Sequence, residues 1–179
     1  MKKYISIIFI ICFLIPAAGI YAAPYLEKPD PERDAIDKAR LDLITVAENY
    51  LGTPYRYGGL DEKGLDCSGL IYVCFRDALE IQVPRTTDKL YAFAEKIAYE
   101  ELKPGDLVFF NTFGRNITHV GLYVGGGKFI HAPSEGAKRR VMYSTLTDSY
   151  WHRTYVAAGR ILPWNGYTRD HFLRDEIPW

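Results

Sequence analysis

Apolar residues return at helical spacing early in the chain. Ile36, Leu43, Ile44, Ala47, Tyr50 and Leu51 share one face, charged residues fill the gaps, and Gly52 with Pro54 ends the pattern. This predicts an amphipathic first helix beginning near Asp34. The next fifteen residues, GTPYRYGGLDEKGLD, hold five glycines or prolines and predict a sharply bent loop that allows close backbone approach. Leu70, Ile71, Val73, Cys74, Phe75 and Ala78 then predict a strongly apolar second helix, with Asp66 at its N-cap and Cys67 at its first position. The stretch VPRTTDKLYAFAEKI reads as a turn, a threonine cap and a short third helix with Leu90, Tyr91, Ala94 and Ile97 on one face.

After it the period shortens. LKPGDLVFF, THVGLYVGGGKFIHA, RVMYSTL and YVAAGRIL are short runs rich in β-branched and aromatic residues, separated by Pro-Gly, Gly-Gly-Gly and polar turns. Helices followed by an antiparallel sheet make an α+β domain. Gly125 to Gly127 read as a turn rather than a phosphate loop, since no helix follows them. Pro163 to Trp179 carry no period and stay unassigned.

The chain has 179 residues, 48% of them hydrophobic, which suits a single domain with a real core. Ahead of that domain, Lys2 and Lys3 precede an apolar stretch from Ile5 to Ile15, then Pro16 and mostly small residues around Ala17 to Ala23, the layout of a secretory signal peptide. Its apolar core of 11 residues is shorter than the roughly 20 of a spanning helix, so cleavage near Ala22 is expected and a stable membrane anchor is not. Cys12 follows Phe9, Ile10 and Ile11 rather than the small residues of a lipoprotein cleavage site. The expected organisation is a signal peptide over 1–22, a proline-rich flexible leader over 23–33, one domain over 34–162 and a tail over 163–179. Cleavage removes two lysines and no acids, taking the formal charge from zero to −2, without the basic excess of a nucleic-acid binder. The product is expected to be exported, as a monomer.

The exported chain keeps two cysteines, Cys67 and Cys74. Seven residues apart on one helix they are separated by a rise of about 10 Å, beyond the roughly 7 Å between bridged Cα atoms, so a disulfide is not expected. Cys74 reads as a small buried hydrophobe. Cys67 at a helix N-terminus meets unpaired N–H groups and a dipole that lower a thiol's pKa and can receive an oxyanion. The base it needs comes most readily from the histidines at 119, 131, 152 and 171. A hairpin turning about Gly125 sets His119 directly opposite His131, pairs Gly121 with Phe129, and points Val120, Leu122 and Val124 the other way into the core. Gly121 then leaves room beside His119 for another backbone or a ligand. Paired imidazoles in this geometry suit a relay in which one ring exchanges a proton with sulfur and the other orients it. Spacing alone says neither which ring meets the sulfur nor that the hairpin docks on the Cys67 helix.

The segments GTPYRYGG, DCSGL, VPRTT, LKPGDLVFF, THVGLYVGGGKFIHA and AAGRIL, in that order from about Leu43 to Leu162, resemble the NlpC family of papain-like cell-wall cysteine peptidases. The resemblance implies a papain-like α+β fold, N-terminal helices packed on a C-terminal antiparallel sheet. It implies Cys67 as nucleophile, His119 as general base and acid, and His131 as the orienting third group. It also implies that Tyr55 lies beside the thiol, where its hydroxyl assists the oxyanion, and that Asp66 and Ser68 shape the substrate groove. The implied substrate is the peptide stem of bacterial peptidoglycan, cut at an amide involving a D-residue or diaminopimelate, which implies that the exported product works in the periplasm or at the cell wall. Tyr57 stands where the family often carries tryptophan, a change of bulk rather than of mechanism.

Asp66 also has a competent explanation as a helix cap, Arg85 as a hydrogen-bonding group near a helix start, and His152 and His171 as surface residues. A zinc on Cys67, His119 and His131 would leave no separate base among these motifs, so no metal or other cofactor is expected. The rivals to a peptidase are an acyl transferase or amidase on the same fold, and an inactive wall-binding module whose thiol reacts no faster than a model thiol.

Overall fold

The computed structural model describes residues 30–114, 116–136 and 139–162. The expected signal peptide, most of the leader, Cys12, His171 and the tail from Pro163 lie outside the described residues. Helix α1 runs from Pro31 to Asn49, so it starts three residues before Asp34. The carboxylate of Asp30 accepts the Arg33 N–H as N-cap, and Pro31 takes the position where a missing N–H matters least. Residues 31–33, expected to be flexible, are thus the helix's first turn.

Helix α2 spans Cys67–Leu79 and α3 spans Thr87–Phe93. A two-residue hairpin, β1 (Leu60–Asp61) and β2 (Gly64–Leu65), sits in the loop before α2. The third helix was expected to reach Ile97; instead Ala94 turns extended and β3 (Glu95–Ile97) pairs with residues 158–160. Long-range ladder bonds here override the local helical period of the apolar positions. The remaining strands are β4 (Leu107–Phe110), β5 (His119–Gly125), β6 (Lys128–His131), β7 (Met142–Thr145) and β8 (Tyr155–Arg160). They form one sheet in the order β3-β8-β4-β5-β6-β7, antiparallel throughout. A short helix α4 (Ser149–Thr154), which the pattern of apolar positions does not announce, links β7 to β8. Among the described residues no helix is long and apolar enough to cross a membrane.

The hairpin register differs from the expected one. Leu122 pairs with Ile130 and Tyr123 with Phe129, two residues away from a register centred on Gly125, because the turn passes through Gly125, Gly126 and Gly127 at positive φ with an irregularity after Tyr123. A shift of two preserves the faces where a shift of one would invert them. Val120 and Leu122 therefore do enter the core, while His119 meets His131 diagonally rather than directly across. Gly121 leaves space that the neighbours themselves occupy: a Cβ there would lie 2.5 Å from the Phe129 ring and 3.3 Å from the His131 Cβ.

Two apolar layers flank the sheet. On the helical side Leu43, Ala47, Leu70, Val73, Cys74 and Phe75 pack on Leu107, Phe109, Val120 and Leu122. On the other side Val108, Phe110, Phe129 and Leu146 form a smaller cluster with Trp151 and Tyr155 against it. The first helix is tied to the sheet by a buried charge cluster. Arg40 is 5% exposed and Asp106 1%, and the Asp106 carboxylate accepts from Arg40 Nη1 at 2.9 Å and from Arg160 Nε and Nη2 at 2.9 and 2.7 Å. Arg40 also donates to the carbonyls of Pro104 and Leu162. Removing one member strands the others in a dry site. Asp106→Ala is expected to lower unfolding free energy by about 3–5 kcal/mol, read from urea denaturation.

Candidate active site

The start of α2 is held by one carboxylate. Asp66 Oδ1 caps the helix by accepting the Gly69 N–H at 2.7 Å, and Oδ2 accepts the Gly58 N–H at 2.7 Å. Arg85 grips the same carboxylate with Nη1 at 2.7 Å and Nη2 at 2.8 Å, and also donates to Ser68 Oγ and the Gly59 carbonyl. Burial works to raise the Asp66 pKa, but Arg85 and the backbone donors hold it below the usual carboxylate range. Only glycine fits at position 69, where a Cβ would stand 2.3 Å from the Gly59 carbonyl oxygen. Asp66, Ser68 and Arg85 thus brace the loop against the helix while lining the same cavity as Cys67.

Cys67 presents its sulfur 3.5 Å from Thr87 Oγ1, with the backbone N–H groups of Ser68 and Val120 turned toward it. Val120 follows His119, so β5 begins against the helix terminus. The helix-terminal lowering expected for this thiol is outweighed: burial pushes the Cys67 pKa up, against the Thr87 bond and the two backbone N–H groups, and Asp66 adds to the rise. Cys74 is fully buried and, like Cys67, unpaired. The Tyr55 hydroxyl is also raised, by burial first and then by Cys67, so at neutral pH it is a donor. Arg139 lies over the Tyr55 ring at 5.4 Å.

The histidines form a chain of contacts. His119 Nε2 lies 2.9 Å from His131 Nδ1, and His131 Nε2 lies 2.9 Å from Ser144 Oγ on β7. This leaves Nδ1 as the free nitrogen of His119. Trp151 of α4 stacks on the His119 ring at 5.3 Å and meets the His131 ring edge-on at 4.7 Å. Burial takes the His119 pKa from 6.5 down to about 4, and burial with the neighbouring His119 takes His131 well below the ordinary value. Both rings and the thiol are therefore neutral at neutral pH. His152 is exposed and lines neither of the cavities that hold Cys67, His119 and His131.

A cavity of about 1070 Å³ joins Tyr55, Asp66, Cys67, Ser68, Thr87 and His119. A second, of about 590 Å³, opens beyond His119 along His131, Ser144, Tyr150 and Trp151. Tyr57, 89% exposed, stands at the rim of the first cavity, where a smaller ring than tryptophan changes the border only. Among the described residues no three His, Cys, Asp or Glu side chains are grouped to hold a metal ion. Of the six residues singled out from the sequence, His131 alone does not line the Cys67 cavity, and it reaches that cavity through His119. Thr87, Ser144 and Trp151 were not singled out. Thr87 lies within VPRTT, which marked its neighbourhood, whereas Ser144 and Trp151 had no pattern to mark them.

A thiol on the first turn of a helix, sharing a cavity with a histidine of a packed antiparallel sheet, defines a papain-like α+β domain. The NlpC/P60 family profile matches residues 52–160, and the chain belongs to that family. It is 41% identical over 137 residues to murein DD-endopeptidase MepH of Escherichia coli K12, covering 74% of this chain and 50% of the relative. It is 44% identical over 159 residues to the probable endopeptidase NlpC of the same strain, covering 84% of this chain and 98% of the relative. The chain thus spans half the length of the first and nearly all of the second. An NlpC/P60 family protein from Bacillus cereus ATCC 10987 superposes with a TM-score of 0.63 at 32% identity, over 69% of this chain and 40% of that one.

The buried histidines link stability to pH. In the unfolded chain His119 takes a proton near pH 6.5, but in the folded chain not until about pH 4. Across that window the unfolded state binds more protons, so stability is fully present above 6.5 and is lost as pH falls toward 4. His119 contributes a slope of about 1 kcal/mol per pH unit there, and His131, also lowered by burial, adds to the loss in the same direction. Denaturation at a series of pH values is expected to show a shallower slope in His131→Asn than in the parent chain.

Proposed function

We propose that this protein is an exported, monomeric cysteine peptidase that hydrolyses amide bonds in the peptide stems or cross-links of bacterial peptidoglycan through a thioester on Cys67. Residues 1–22 act as the signal peptide, the leader ends where α1 begins, and the domain runs to residue 162. One observation carries the reading: a thiol at a helix N-terminus and the free nitrogen of a braced histidine pair belong to residues lining one cavity. The murein endopeptidase relative supports the substrate class.

In this reading the neutral thiol and imidazole react only when a carbonyl arrives. As Sγ attacks the carbonyl carbon, His119 Nδ1 takes the thiol proton, and the carbonyl oxygen becomes an oxyanion received by the Cys67 N–H and the Tyr55 hydroxyl. The imidazolium, faced by the Trp151 ring, returns its proton to the leaving amine as the C–N bond breaks and the thioester remains. The same nitrogen then takes a proton from water, whose oxygen displaces sulfur to release the acid and restore the thiol. Asp66, Ser68 and Arg85 keep the groove wall and the thiol in register.

A neutral resting thiol changes how the inactive-module rival is separated. Slow alkylation is expected of an active enzyme whose resting thiol is protonated as well as of a binder, so turnover is the discriminating measurement. Cys67→Ala is expected to abolish release of stem-peptide fragments from purified sacculi while keeping the parent melting transition. Undiminished release by that variant would sink the mechanism. Product masses separate the other rivals: a transferase leaves an amine-bearing product, and an amidase frees the glycan from an intact stem.

A further inference from the structure

We propose that Ser144 is a positioning residue that decides which nitrogen of His119 carries the hydrogen, an inference that rests on the reading of Cys67 and His119 given above. Two hydrogen bonds of 2.9 Å connect the three side chains, from His119 Nε2 to His131 Nδ1 and from His131 Nε2 to Ser144 Oγ. A neutral imidazole carries one N–H and one bare nitrogen. With both rings neutral, the chain of bonds can run in only two directions.

In the first, Ser144 Oγ accepts from His131 Nε2–H. His131 Nδ1 is then bare and accepts from His119 Nε2–H, which leaves His119 Nδ1 bare and able to take a proton from sulfur. In the second, the Ser144 hydroxyl donates to His131 Nε2 and every role reverses. His119 Nδ1 then carries a hydrogen and cannot act as the base. The state of the reacting nitrogen is therefore fixed at the far end of the relay, by whether a serine on β7 accepts or donates.

One feature favours the accepting direction. Ser144 lines the cavity of about 590 Å³ beyond the histidines, which gives its own hydrogen a direction other than His131. Trp151 stacked on His119 and edge-on to His131 keeps both rings from turning over to exchange their nitrogens.

Ser144→Ala leaves the His131 Nε2–H without its acceptor in a buried place, so the reverse tautomers gain. The expected result is a fall of about tenfold in kcat, part of what general acid–base catalysis supplies, with KM unchanged. Nitrogen NMR of the rings is expected to show Nε2–H on both histidines in the parent chain and Nδ1–H gaining in this variant. Ser144→Asp can only accept when ionised, so it is expected to hold the parent tautomers, retain more activity than the alanine variant, and move the acid limb of the rate profile to higher pH. Parent kcat and parent tautomers in Ser144→Ala would overturn the proposal while leaving Cys67→Ala inactive and the functional reading intact. Equal losses in both variants with parent tautomers would overturn it too. Activity surviving in Cys67→Ala would instead remove the functional reading on which it rests.

Discussion

The Asp66 carboxylate is the constraint on which the rest of the site depends. It caps the helix that carries Cys67, holds the Gly58 backbone, and binds Arg85 through two nitrogens. Those contacts bring together three stretches separated along the chain: the bent loop that delivers Tyr55, the start of α2, and the approach to α3 that sets Thr87 beside the sulfur. A carboxylate in this position would be unfavourable without partners. Its oxygens are instead shared among two backbone donors and a guanidinium, with the Ser68 hydroxyl at the edge, and it stays ionised. The geometry of the candidate site and the local folding are set by the same bonds.

Burial is the second determinant, and it changes the chemical starting point. A helix terminus alone favours a thiolate, but Cys67 and both histidines lie where charge is poorly solvated, so the resting set is thiol and neutral imidazole. In the proposed mechanism charge then appears only as sulfur, imidazole and oxyanion become polarised together. The aromatic layer of Phe110, Phe129 and Trp151 on the outer face of the sheet supplies this dry setting for the histidines and holds their planes. The same burial ties the stability of the fold to pH.

Much of the fold was legible in the sequence because its signals are local. The amphipathic spacing through Ala47, the cap at Asp66 and the apolar run from Leu70 gave the first two helices, and the β-branched runs gave the five central and outer strands. Local signals failed where long-range pairing decides, as at Glu95–Ile97, where the apolar spacing suits a helix but the edge of the sheet takes the segment as a strand. The hairpin register was two residues off because three consecutive glycines offer several turn centres, yet the even shift kept His119 and His131 on one face. The helix-terminal placement of Cys67 was readable, but its raised pKa was not, since burial is a property of the assembled layers. Ser144 and Trp151 lay beyond reach for the same reason: a single serine in a strand and a tryptophan in an unassigned turn acquire meaning only once the sheet places them beside the histidines.

The most direct test of Cys67 as a nucleophile toward peptide carbonyls is to trap the covalent intermediate. The parent chain mixed with a defined stem peptide, quenched in acid within the first turnover and weighed intact, is expected to gain the mass of the acyl fragment. Peptide mapping is expected to place that mass on the segment containing Cys67, and hydroxylamine to remove it as a thioester. Turnover of the peptide with no adduct under these conditions, or an adduct mapped to another residue, would contradict the assignment.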